Sequence, residues 1–147
     1  MVDCDIVVLV WNQPAITRRC IESLFACTHR PVRLLIVDNG SDAPTRAYLA
    51  TVVSQHSIEV IHLRSETNEG FARGMNYGLR TSTAPWTCLL NNDTIVTDGW
   101  LDRMLEVGAA YSEIGLINPV SNTFGDRPKA GASLTEHAAA VGARPAG

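Results

Sequence analysis

A three-layer α/β/α domain with a mainly parallel sheet is what this 147-residue chain predicts, from three observations. Apolar runs of strand length alternate with segments of helical period. The runs that read as central strands are continuously apolar, as strands covered on both faces must be. Each run then ends in a cluster of polar turn formers. A β-α-β-α-β order of this kind implies right-handed crossovers and helices on both faces of the sheet.

Ile6 to Val10 is the first strand, apolar throughout. Pro14 to Cys27 follows as a helix, with Ile16, Cys20, Leu24 and Cys27 at spacings of four, four and three. Pro31 stops any continuation, and Val32 to Val37 is a second buried strand. Asp38-Asn39-Gly40-Ser41-Asp42 reads as a loop because every residue in it is a turn former. Asp42 is a good N-cap for the next helix. Pro44 sits in its permissive first turn, and Tyr48, Leu49, Val52 and Val53 form its expected inner face.

Ile58 to Leu63 is a third strand, and Glu59 and His62 break its apolar pattern as an edge position allows. A helix from about Gly70 to Arg80 precedes the strand Trp86 to Leu90, read as buried. Another helix, about Asp98 to Ala110, puts Trp100, Leu101, Met104, Leu105 and Gly108 on one side. Ile114 to Ile117 is expected to close the sheet, with Asn118-Pro119 as a break. This gives a core over residues 1–120. Residues 121–147 read as a poorly packed Ala/Gly-rich tail, or the start of a further half, with one short helix conceivable at Leu134 to Val141.

Composition narrows the function classes. A 46% hydrophobic and 18% charged chain is an ordinary soluble globular protein. Its net charge of −3 and lack of a basic stripe argue against nucleic acid as a partner. No apolar run approaches the roughly 20 residues of a membrane span, and Met1 to Asp5 has no basic region ahead of an apolar core, so a cytoplasmic location is expected. Cys4, Cys20, Cys27 and Cys88 contain no Cys-x-x-Cys pair and read as reduced core thiols. A zinc site helped by His29, His56, His62 or His137 is the weaker reading.

In an open α/β sheet, ligands bind outside the carboxyl ends of the strands. Three such ends carry polar loops here: Trp11-Asn12, Asp38 to Asp42, and Asn91-Asn92-Asp93 with Thr94. Asp93 is the leading candidate for a metal ligand, since a hard divalent cation held there wants oxygen ligands from one or two carboxylates plus a phosphate. The alternative is that Asn92 or Asp93 only caps a turn. Trp11-Asn12-Gln13-Pro14 contains no glycine, and there is no P-loop lysine motif, so a dinucleotide or P-loop site is disfavoured. Gly70, Gly74 and Gly78 recur every four residues and would form one smooth helix face, suited either to close packing on the sheet or to the approach of a ligand phosphate.

Taken in order, Trp11-Asn12, Asp38-Asn39-Gly40-Ser41-Asp42, Asn68-Glu69-Gly70-Phe71-Ala72 with Asn76, and Leu89-Leu90-Asn91-Asn92-Asp93-Thr94 resemble the inverting GT-A glycosyltransferases of family 2, over about Asp5 to Asn118. The resemblance implies a Rossmann-like nucleotide-diphospho-sugar transferase fold and a UDP- or dTDP-type sugar donor bound with Mg²⁺ or Mn²⁺. It implies a glycan or lipid-linked acceptor and a role in polysaccharide biosynthesis. Asp38 would hydrogen-bond the pyrimidine, and Trp11, with Asn12 beside it, would line the base pocket. Asn68, Gly70, Phe71 and Asn76 would close over the diphosphate or ribose. Asn91 and Asn92 would lie near the ribose and donor sugar, and Asp93 would ligate the metal. Asn91 and Asn92 depart from the family pattern, where acidic residues are common, and in this they resemble a rhamnosyl-type branch.

Inverting transfer needs a general base for the acceptor hydroxyl, which the family places after the last strand read here. Among the late acids, Glu106, Glu113, Asp126 and Glu136, none resembles that motif. The catalytic base is therefore expected outside this chain, which would be the donor-binding half of a longer enzyme at the membrane surface or a subunit completed by a second copy. The alternative is a noncatalytic nucleotide-binding or interaction module of the same fold. A receiver domain would need an acidic pair where Trp11-Asn12 stands and a Lys where Asn118-Pro119 stands. A nucleotidyltransferase would need a glycine-rich basic loop after the first strand.

Overall fold

The computed structural model describes residues 2–119 and two short strands beyond them. In chain order the elements are β1 (Cys4–Val10), α1 (Pro14–Cys27), β2 (Val32–Asn39), α2 (Ala43–Leu49), β3 (Ile58–Ser65), α3 (Phe71–Thr81), β4 (Trp86–Asn91), α4 (Trp100–Ala110), β5 (Thr123–Phe124) and β6 (Arg127–Pro128). Two units divide the chain, Met1–Arg103 and Met104–Gly147. The first holds a four-stranded parallel sheet of order β3-β2-β1-β4, and the second includes the antiparallel pair β5-β6. The short helix conceived at Leu134 to Val141 lies outside the described residues.

The continuous apolar runs form the two central strands. Every residue of β1 is buried, as is all of β2 except half-buried Arg33. Val7, Leu9, Leu35, Val37 and Met75 of α3 make a core cluster on one face. Burying each such side chain stabilises the fold by about 1.5–3 kcal/mol. β3 lies at one edge, as its mixed pattern predicts.

Gly74 and Gly78 set the approach of α3. A Cβ on Gly74 would run into the Leu9 side chain, and one on Gly78 into that of Val7. Close packing thus accounts for both glycines. Gly70 differs: it caps the helix at φ 81 with open space around its Cα.

Several expectations are corrected. Ile114 to Ile117 is not a strand, and Leu116 within it is 87% exposed. A strand needs a ladder partner, and among the described residues this run pairs with none. β4 is an edge strand in the described sheet, not a buried one, and Leu89 is 50% exposed. An apolar run records a preference for burial without recording how many neighbours cover it. α2 stops at Leu49, so Val52 is buried from the following turn while Val53 faces solvent. On α1 the inner face is Thr17, Cys20, Ile21 and Leu24, with Ile16 exposed.

All four cysteines are free, Cys4 and Cys20 buried and Cys27 and Cys88 half-buried. Burial pushes the thiols of Cys4 and Cys20 up to about 11 and that of Cys88 to about 12. Such thiols are un-ionised and unreactive at neutral pH.

Candidate functional site

Because the described strands of the sheet are parallel, the polar ends of β1, β2, β3 and β4 share one rim. β1 runs on to β2 and β3 in one direction, while β4 lies on the other side of β1. The strand order therefore reverses between β1 and β4. Open α/β sheets carry their ligand crevice at such a point. The loops flanking it are Trp11-Asn12-Gln13 and Asn92-Asp93-Thr94.

The loop after β1 makes a tight turn without glycine. Asn12 and Gln13 both take left-handed conformations, φ 57 and 59, which costs Gln13 about 1–2 kcal/mol and Asn12 less, since asparagine enters that region readily. Cross-loop bonds hold this turn. The Asn12 amide donates to Ser41 Oγ at 3.0 Å, and Asn12 Oδ1 accepts from the Asp42 amide at 2.8 Å. The consequence is that Trp11 projects from the rim, 54% exposed.

Asp38 and Asn39 stand at the end of β2, buried at 7% and 2% exposure. Asp38 Oδ1 accepts from the Ser41 amide at 2.8 Å, and Oδ2 pairs with the guanidinium of Arg64. Arg64 sits directly across from Asp38 in the β2-β3 register. Asn39 turns to the opposite face and joins two loops: its Nδ2 donates to Asn68 Oδ1 at 2.9 Å, and its Oδ1 accepts from the Glu69 amide at 3.0 Å. Asn68 Oδ1 also takes the Gly70 amide at 2.8 Å. Gly40, at φ 74, lets the β2 loop lie against this segment, because a Cβ there would meet the Thr67 backbone at 2.5 Å.

The β4 end is built differently. Thr94 N donates to Asn91 O at 3.2 Å, closing a turn, and Asn92 Nδ2 donates to the buried Thr17 hydroxyl of α1 at 3.0 Å. Asp93 is left exposed at the apex, and among the described residues its carboxylate has no ion pair. Its charge is felt by Cys20 beneath, whose thiol is raised first by burial and then by Asp93.

The structure thus brings Trp11, Asn12, Asp38, Asn68 and Gly70 into one bonded rim. Asn91, Asn92 and Asp93 flank the β1-β4 reversal. Phe71, 63% exposed, and Asn76 lie on exposed positions of the first turns of α3. Asn12 and Asn92 both use side-chain groups to brace the rim. Sequence reasoning assigned no individual role to Asn39, Ser41 or Arg64. The signal for Arg64 was the two-residue alternation of β3, but its position opposite Asp38 depends on register.

Among the described residues no three His, Cys, Asp or Glu side chains gather where they could hold a metal. A single exposed carboxylate fits a hard cation that takes its remaining oxygens from a ligand and water, not one caged by protein. No helix among the described residues is long and apolar enough to cross a membrane.

The family model for glycosyl transferase family 2 matches residues 5–127. The chain belongs to that family. An uncharacterized glycosyltransferase of Haemophilus influenzae is 30% identical over 103 residues, covering 70% of this chain and 33% of that protein. The succinoglycan biosynthesis protein ExoM of Rhizobium meliloti is 23% identical over 124 residues, covering 82% and 40% respectively. The GT-A fold is shared with TarS 1-349 of S. aureus, solved with UDP, at TM-score 0.66 and 15% identity over 75% of this chain and 33% of that one. It is shared too with the mannosyltransferase PcManGT of Pyrobaculum calidifontis, solved with GDP-Man and Mn²⁺, at TM-score 0.64 and 15% identity over 73% and 32%. This family 2 glycosyltransferase chain spans between 33% and 40% of the length of the curated relatives it matches.

Proposed function

We propose that the chain is the donor-binding half of an inverting glycosyltransferase, taking a UDP- or dTDP-type sugar. The observation that carries this reading is Asp38: a largely buried carboxylate held at the rim by the Ser41 amide. A fixed acceptor of that kind suits the ring N–H of a pyrimidine. Trp11 supplies an exposed aromatic face near the Ser41 and Asp42 loop. Asn68, Gly70, Phe71 and Asn76 would lie along the ribose and diphosphate, and Asn91 and Asn92 beside the donor sugar.

Asp93 is the residue that would hold Mg²⁺ or Mn²⁺, together with diphosphate oxygens. The cation would offset charge on the departing diphosphate. In the transfer itself the acceptor hydroxyl oxygen bonds to the anomeric carbon from the face opposite the diphosphate. The bond from that carbon to the phosphate oxygen breaks, and the nucleoside diphosphate leaves with its electron pair. The hydroxyl proton passes to a general base, which on this reading lies outside the described residues. The acceptor, glycan or lipid-linked, would be read by that other part of the enzyme, or by a second copy.

The test is calorimetric titration with UDP and dTDP. Asp38→Ala is expected to weaken binding by about 1.5–3 kcal/mol, the range for a hydrogen bond to a charged group. Asp38→Asn keeps an acceptor for the Ser41 amide and separates loss of loop structure from loss of charge. Unchanged affinity in both folded variants would refute the assignment.

A further inference from the structure

We infer that helix α1 sets the position of Asp93, with Thr17 and Ser23 as positioning residues that hold the loop around it for cation binding. This rests on the reading of Asp93 given above and extends it to two side chains with no role there.

The sheet stops short of Asp93. The last β1-β4 pair is Leu9 with Asn91, and β4 has no neighbour on its other side among the described residues. From Asn92 onward the backbone therefore lacks a ladder partner. Among the described residues, the bonds that tie it to the rest of the domain come from α1 and the residues just after it. Asn92 Nδ2 donates to Thr17 Oγ1 at 3.0 Å, the Cys20 thiol donates to Asn91 O at 3.6 Å, and the Val96 amide donates to Ser23 Oγ at 3.1 Å. Thr17, Cys20 and Ser23 recur every three residues and so share one face of the helix. Trp100 Nε1 continues the series with a bond to Thr28 Oγ1 at the C-cap. The contacts advance along α1 as the loop advances from Asn92 to Trp100, so helix and loop run side by side.

The residue types carry a cost that packing does not explain. The inner face of α1 is otherwise Cys20, Ile21 and Leu24, yet Thr17 is fully buried with its hydroxyl. Ser and Thr are weak helix formers because their hydroxyls compete for backbone bonds. Ser23 does so, donating to Cys20 O at 2.7 Å. With its proton committed to the helix, its oxygen is left as an acceptor, and it takes the amide of buried Val96. The two hydroxyls thus fix the loop on both sides of Asp93, at Asn92 before it and at Val96 after it. The carboxylate itself is exposed, so its direction is set by a backbone anchored at those two points.

A lone carboxylate makes such anchoring matter. Mg²⁺ demands near-ideal octahedral geometry and gives up water reluctantly, so a single protein ligand contributes only if it is held in place. Groups that orient a ligand by bonding it directly are worth about 10–100-fold in metal affinity. Thr17 and Ser23 act through intervening backbone and belong at or below the lower end of that range.

The experiment is calorimetry of the whole chain with UDP, in Mn²⁺ and in chelator, repeated for Thr17→Val, Thr17→Ser and Ser23→Ala, with thermal melting to show that each variant is folded. The readout is the factor by which Mn²⁺ tightens UDP. Thr17→Val and Ser23→Ala should each cut that factor by about threefold to tenfold. UDP affinity in chelator should stay within about twofold, as for a distant site. Thr17→Ser, which keeps the hydroxyl, should retain the full factor. A merely structural role would lower the melting temperature and leave the factor unchanged, or weaken UDP equally with and without metal. Either result in folded Thr17→Val or Ser23→Ala would overturn the inference, as would failure of Thr17→Ser to retain the factor. If Mn²⁺ does not tighten UDP in the unmutated chain, the reading of Asp93 falls and this inference with it. Tightening that is equal in the unmutated chain and the variants removes only the role of α1.

Discussion

Neutralising Asp5 should destabilise this domain in a pH-dependent way that the structure sets quantitatively. Asp5 is fully buried at the end of β1 opposite the ligand rim. It accepts from Arg33 Nε at 2.8 Å and Nη2 at 2.5 Å, from the Ser82 hydroxyl and Thr83 amide at 2.8 Å, and from the Ala84 amide at 3.1 Å. Burial alone would push its carboxyl up. The Arg33 bond, then those from Thr83, Ala84 and Ser82, outweigh burial and bring it down from 3.8 to about 2. At 1.36 kcal/mol per unit, that difference amounts to about 2 kcal/mol. A depressed folded-state value means the stabilisation is complete above the unfolded value near 4 and is lost as pH falls toward 2. Asp5→Asn keeps the shape but leaves Arg33 and at least one amide underserved, so the cost at pH 7 should reach about 3–5 kcal/mol, the range for breaking a buried pair. Urea unfolding at pH 7, 5, 4, 3 and 2 checks both numbers. The gap between the two proteins should be constant from pH 7 to 5 and narrow below 4. A gap that stays constant down to pH 2 would refute the electrostatic reasoning.

Other outcomes follow from packing and site geometry. Gly78→Leu should cost about 1–3 kcal/mol or more by overpacking against Val7, whereas Gly70→Ala, though no atom would touch its Cβ, should still cost about 1–3 kcal/mol because φ 81 and ψ 169 form a backbone conformation that only glycine adopts without strain; thermal melting checks both. Mn²⁺ should tighten UDP binding to the unmutated chain, and Asp93→Asn should abolish the enhancement; equal affinity with Mn²⁺ and with chelator would remove Asp93 as a ligand. If the general base lies outside these residues, as proposed, the chain incubated with diphosphate sugars and candidate acceptors should bind donor but form no glycoside, for want of an acid-base contribution of about 10²–10⁴. Mass spectrometry showing turnover would locate a base among these residues.

The sequence made the central strands and most of the helices plain, because β1 and β2 are uniformly apolar and α3 carries its glycines at a spacing of four. It misjudged where strands stop. Asp38, Asn39, Arg64 and Ser65 look like loop, yet all four lie in the ladder, since a parallel neighbour can carry backbone pairing past the last apolar side chain. Those added positions hold the pairing that matters most at the rim. Register is a property of two strands, and neither β2 nor β3 displays it alone. Ile114 to Ile117 failed for the converse reason: apolar residues do not make a strand without a partner, and the pattern of one segment says nothing about the edge it would need.

Asn39 has a consequence for motion. One carboxamide gives its nitrogen to Asn68 and its oxygen to the Glu69 amide, so the two loops are joined by a link that works in only one orientation of that amide group. An aspartate in its place would set a carboxylate against the Asn68 oxygen and the Gly70 carbonyl, which already lies 3.3 Å away. The segment from Thr67 to Gly70 is thereby tethered to the sheet and cannot swing as an independent flap. On the donor-binding reading, adjustment around a ligand falls to the side chains that project beyond the tether, Trp11 and Phe71, both exposed, whose rotamer changes take picoseconds to nanoseconds and require no backbone rearrangement.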